Sequence, residues 1–121
     1  MTIWHFQNVT GKRVLDGDTV ELVVDTGFRH SAGIIFRLLG VDTVEKKQNP
    51  EKWAAAKEFT RAWMDAHPVM TLECHGEDKY GGRWLGIVRD KFDPRINLND
   101  ALLEAKLAVR YSGGKKGVNH V

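Results

Sequence analysis

One long amphipathic stretch, Asn49 to Ala66, stands between two groups of short strand-like runs, and that order restricts the fold more than any other feature. Asn49 suits an N-cap and Pro50 a first helical position. Trp53, Ala56, Phe59, Ala62, Trp63 and Ala66 recur at helical spacing on one face, while Lys52, Lys57, Glu58, Arg61 and Asp65 fall mostly on the other. His67-Pro68 ends the helix, because a residue before proline is pushed out of the helical region.

Before this helix the chain reads as strands. Val14-Leu15 and Val20, Leu22, Val24 flank Asp16-Gly17-Asp18, and an Asp-Gly between alternating apolar runs signals a hairpin. A second turn is expected at Thr26-Gly27, and a third apolar run, Ile34 to Val41, should end near Gly40. After the helix, Val69 to Cys74 alternates, and a polar turn covers Gly76 to Gly82. The next strand carries Trp84, Leu85, Ile87 and Val88. Asn97 caps a short second helix through Ala101, Leu102, Leu103 and Ala105, and Leu107, Val109 and Tyr111 alternate as a last strand. The Gly- and Lys-rich tail from Ser112 is expected to fray.

Short strands with a long helix inserted after the third suit a five-stranded Greek-key barrel with two helices, the OB-fold. With 121 residues the chain is expected to be a single domain over 1–121 that buries a core without staples. Its one cysteine, Cys74, excludes an internal disulfide and reads as a core thiol. Met1 to Thr10 lacks the basic start and apolar run of a signal peptide, and no run approaches a membrane span, so a cytoplasmic monomer is expected. A net charge of +2 permits nucleic-acid binding without arguing for it, so any basic site must come from arrangement.

The residues that could carry chemistry gather at strand ends. Asp16 and Asp18 sit at a turn, and Asp42 and Glu45 lie just past an apolar strand. A hard cation such as Ca2+ takes oxygen ligands, and Asp18, Asp42 and the carbonyl of Thr43 would supply three. Each acid alone is equally an ordinary turn or cap residue. Arg37 interrupts the most apolar run and Arg83 opens the strand after Tyr80-Gly81-Gly82. Two planar guanidiniums can flank one phosphorus with paired donors, although Arg37 could instead face outward beside an acid. Lys79 beside Tyr80 could grip a phosphate and stack on a base, or form a plain polar loop. The five histidines lack metal spacing, and no phosphate-binding glycine loop or nucleophile elbow is present. Glu45-Lys46-Lys47 and Glu77-Asp78-Lys79 match a Glu-x-Lys metal pattern, but outside apolar strands.

Asp16-Gly17-Asp18-Thr19-Val20, then Phe36 to Glu45, then Asp78 to Leu85 resemble the staphylococcal nuclease family in order and spacing. Leu98 to Leu103, Leu107-Ala108 and Tyr111 are similar to its last helix and strand. The resemblance spans roughly residues 12 to 114. It implies a calcium-dependent nuclease that cuts DNA and RNA and leaves 3′-phosphates. Asp18 and Asp42 would then be direct Ca2+ ligands with the Thr43 carbonyl, and Glu45 would position or deprotonate the attacking water. Arg37 would hold the phosphate, Arg83 would stabilise the transition state and the leaving 5′ oxygen, and Asp16 would tune the site from behind. Lys79 and Tyr80 would hold a neighbouring phosphate, and Tyr111 would lie near the nucleotide.

The chain departs from the family at Val44, where proline is usual, and at Lys106, where glycine is frequent. The doubled Gly81-Gly82 lengthens its loop by one residue, so the register of Arg83 depends on how that loop closes. The loop Lys46 to Pro50 is short, and the founding enzyme's C-terminal helix has no counterpart. The alternatives are a non-catalytic OB-fold that binds single strands, and a Mg2+ nuclease of the Glu-x-Lys type.

Overall fold

The computed structural model describes residues 2–79 and 81–112. The Asp16-Gly17-Asp18 signal forms a hairpin: β1 (Trp4–Asp16) returns as β2 (Thr19–Gly27), with Asp16 opposite Thr19. β2 pairs antiparallel with β3 (His30–Leu38) across Phe28-Arg29. This second turn lies two residues beyond the expected Thr26-Gly27, and both its residues take positive φ (57° and 62°).

β3 stops at Leu38. Gly40 at φ 80° turns the chain, and Val41–Thr43 becomes a separate short strand, β4, where the sequence suggested one run to Val41. Helix α1 (Pro50–Ala66) follows with the expected cap, the Asn49 side chain accepting from the Lys52 N–H at 3.1 Å. Then come β5 (Met70–Glu77), β6 (Trp84–Asp90), α2 (Leu98–Glu104, capped by Asn97) and β7 (Ala108–Arg110).

The strands close into a barrel in the order β1-β2-β3-β6-β5, with β3 and β6 parallel and β5 returning to β1. β4 and β7 form a separate two-stranded ladder. This is the OB-like barrel with two helices that the element order implied. Val20, Leu22, Val24, Phe36, Leu38, Met70, Leu72 and Val88 fill it, and Cys74 is a buried thiol among them. Gly86 packs closely inside: a Cβ there would stand 2.8 Å from Leu72 Cδ1, so a side chain would have to shift.

Two sequence assignments shift. β1 begins at Trp4, well before Val14, because most of its first ten residues are exposed and leave no alternation to read. On α1, Ala62 and Ala66 are exposed, whereas Thr60 and Met64 are buried. Thr60 tolerates burial because its hydroxyl donates to the Gly17 carbonyl at 2.6 Å. None of the described helices is long and apolar enough to cross a membrane.

Lys106 follows α2 at φ 58°, a left-handed position that suits glycine. Lys106→Gly is therefore expected to raise stability by about 0.5 to 1 kcal/mol, read as a higher urea midpoint at unchanged slope. An unchanged or lower midpoint would show that the lysine carries no backbone strain.

Candidate active site

The site begins with a charge in an unlikely place. Arg37 sits near the end of β3, opposite Thr19 of β2 and Leu85 of β6, and its side chain is only 5% exposed. The outward, solvated alternative for this arginine is thereby overturned. Its Nη2 lies 3.3 Å from Asp42 Oδ1 and 3.6 Å from Asp18 Oδ2. Both carboxylates are buried, Asp18 fully. A buried ion costs several kcal/mol of lost hydration unless partners replace the water.

The backbone fixes these acids. Asp18 leaves the β1–β2 turn, its carbonyl accepting from the Leu38 N–H at 2.8 Å. Its Oδ2 accepts from the Thr43 N–H at 3.1 Å, and its Oδ1 from the Thr19 hydroxyl at 3.1 Å. Asp42 is the middle residue of β4, paired with Val109 of β7. The first turn and the short ladder thus converge on one arginine. Among the described residues the Thr43 hydroxyl is buried with no hydrogen-bond partner.

Beside this cluster opens a cavity of about 340 Å3, whose lining includes Arg37, Lys79, Arg83 and Tyr111. The Arg37 guanidinium lies 4.5 Å from the centroid of the Tyr111 ring, in cation–π range. Tyr111 is held there by its N–H, which donates to the Gly40 carbonyl at 2.9 Å.

The Gly81-Gly82 loop closes tightly and keeps Arg83 at the cavity. Both glycines take positive φ (73° and 72°), and the Asp78 N–H donates to the Arg83 carbonyl at 2.9 Å. Arg83 Nη2 then reaches Asp78 Oδ2 at 2.7 Å. The extra residue is absorbed in the turn, and Arg83 and Arg37 line one cavity. Asp78, buried and aiming Arg83, is a positioning residue that sequence reasoning left in the loop. Its signal was an acid five residues before the arginine across a glycine pair.

Other candidates fall elsewhere. Glu45 is exposed beyond buried Val44 and outside the cavity lining, with its carbonyl accepting from the N–H groups of Gln48 and Asn49. Asp16 accepts from the Trp53 indole N–H at 2.7 Å, so it ties the first turn to α1. Gly17 completes that joint, since a Cβ there would come within 2.7 Å of the Ala56 Cβ. Tyr80 lies outside the described residues. Asn99, also unforeseen, braces the wall: its amide donates to the carbonyls of Leu39 and Gly86 at 2.9 and 3.1 Å.

No group of three or more His, Cys, Asp or Glu side chains converges among the described residues. The Asp18–Asp42 pair is nonetheless a fit for a hard cation. Its donors are all oxygen, one guanidinium faces two buried carboxylates, and the buried Thr43 hydroxyl stands by without a partner.

A family model described as staphylococcal nuclease homologue matches residues 35–120. The match takes in Arg37, Asp42, Thr43, Glu45, Lys79, Arg83 and Tyr111. Asp16 and Asp18 precede it, and Asp18 joins the same cluster through its contacts with Thr43 and Arg37. No curated protein matches the chain.

Proposed function

We propose, because this chain belongs to the staphylococcal nuclease family, that it is a calcium-dependent hydrolase of phosphodiester bonds in DNA and RNA that leaves 3′-phosphates. The observation that carries the reading is the single cavity shared by Arg37 and Arg83, with Arg37 set against two buried acids. That arrangement suits a tetrahedral anion whose charge grows during attack.

Asp18, Asp42 and the Thr43 carbonyl would hold Ca2+, which supplies positive charge beside the phosphate. Arg37 binds a non-bridging phosphate oxygen and orients the phosphorus. Glu45 accepts a proton from the attacking water as the new P–O bond forms, and the P–O5′ bond breaks. Arg83 donates to the phosphoryl oxygens and to the departing 5′ oxygen, where preorganised charge lowers the barrier most. Lys79 and Tyr80 hold a neighbouring phosphate, Tyr111 flanks the nucleotide, and Asp16 fixes the first turn from behind. In this reading the exposed turn at Glu45 closes toward substrate. A second reading, a non-catalytic single-strand binding module, draws on the position of Glu45 outside the cavity lining.

Both ligands bind the folded state in this account. Ca2+ with a nucleotide diphosphate, at about a hundred times its Kd, is therefore expected to raise the melting temperature by roughly 10 °C. A melting curve unmoved by the two together would refute the site.

A further inference from the structure

A second cavity lies on a different face. It is a groove of about 600 Å3 between β1 and α1, whose walls include Lys12, Arg13, Trp53, Lys57, Arg61 and Met64. We propose that this groove is a track for the backbone of a single-stranded polynucleotide, carrying the nucleotides that flank the scissile phosphate away from the active centre. The inference rests on the nuclease reading for its direction, and on the groove itself for its chemistry.

Continuity with the site is the first support. Trp53 lines the groove and donates its indole N–H to Asp16, two residues before Asp18. Lys46, the residue after Glu45, places its Nζ 4.9 Å from the Trp53 ring centroid. Lys57 places its own 5.1 Å from the same ring. One lysine from the Glu45 turn and one from the groove therefore meet at the Trp53 ring.

Charge is the second. Among the described residues Lys12, Arg13, Lys57 and Arg61 line the groove, Lys46 stands over Trp53 beyond the lining, and four carboxylates accompany them: Glu58 and Asp65 in the lining, Glu21 paired with Lys12 and Arg13, and Asp16 bonded to Trp53. Arg61 is held by Glu58 and Asp65 on its own helix, which makes it a wall and not a free contact. Lys12 and Arg13 share one acid, Glu21, and their side chains are 56% and 61% exposed. The remaining positive charge thus lies on the Lys12–Arg13 pair along the β1 wall and on Lys57 along the α1 wall, with Lys46 at the Trp53 ring. Between them the floor is apolar, with Met64 against Gly11 and the half-buried Trp53 offering a face for a base. Paired rows of cations beside an aromatic face grip a single strand without reading its sequence.

The test is binding of fluorescent oligothymidylates to the full chain with chelator present, so that cleavage plays no part. Strands of about four and about sixteen nucleotides span the range that one such barrel engages. The parent is expected to bind the longer strand much more tightly. The variant Lys12→Gln/Lys57→Gln should bind the long strand about tenfold more weakly, with a salt slope reduced by roughly 1.4, about 0.7 for each lost phosphate contact. Lys46→Gln, on the turn outside the helix, gives an independent arm with the same sign. Equal long-strand affinity and slope in parent and variants would overturn the track, as would a parent that binds both lengths equally. Failure of the nuclease reading looks different: the parent would show this length dependence yet cut nothing when Ca2+ is restored.

Discussion

Replacing Arg83 with alanine is expected to slow cleavage by a factor of about a hundred to a thousand while costing about 1 to 3 kcal/mol of stability. The rate loss is that of removing one preorganised donor aimed at developing charge, about 3 to 4 kcal/mol of barrier. The limited stability cost follows from placement. Arg83 lines the cavity at 30% side-chain exposure, and among the described residues it pairs with a single acid, the buried Asp78, in place of the two that Arg37 faces. Arg83→Lys sharpens the test, because it keeps the charge beside Asp78 and loses the paired donors. It should also be slow. Cleavage at the parental rate by the alanine variant would remove Arg83 from the chemistry.

Arg37→Ala should slow cleavage as well and, beyond that, damage the fold itself. It would leave Asp18 and Asp42 buried against each other without the guanidinium that faces both. Removing one partner of a buried ionic cluster costs about 3 to 5 kcal/mol. A urea titration reads this directly, as a large fall in midpoint. Ca2+ would return positive charge to the same acids, so it should raise the variant's midpoint more than the parent's. A variant as stable as the parent would show that the carboxylates do not depend on Arg37. The two arginines share a cavity, and the deeper burial of Arg37 makes its loss the more costly one for stability.

The contrast explains what was legible in the sequence. Asp16-Gly17-Asp18, the Asn49-Pro50 helix start and the Asn97 cap rely on local chemistry, and the structure bears them out. The barrel followed from element order. β1 before Val14 was hidden because its exposed residues carry no alternating pattern. The break at Gly40 was hidden because apolar residues continue on both sides of a turn that only its φ reveals. Arg37, Asp42 and Arg83 stood out as charges at apolar strand ends, but the pairing of Arg37 with both acids depends on β-ladder register. Nothing local announces that Asp16 meets Trp53 or that Asn99 bridges Leu39 and Gly86, since these contacts join residues 37 and 60 positions apart. The β1–α1 groove is likewise a product of packing, assembled from lysines that read one at a time as solvated surface.

The central claim is metal-dependent hydrolysis at the Arg37–Arg83 cavity, and degradation of plasmid and single-stranded DNA with Ca2+, with Mg2+ and with chelator tests it most directly. The account predicts cutting with Ca2+, its abolition by chelator, and products that end in 3′-phosphate. Binding with no cutting under any of the three conditions would contradict it and leave the single-strand binding module as the function of this barrel.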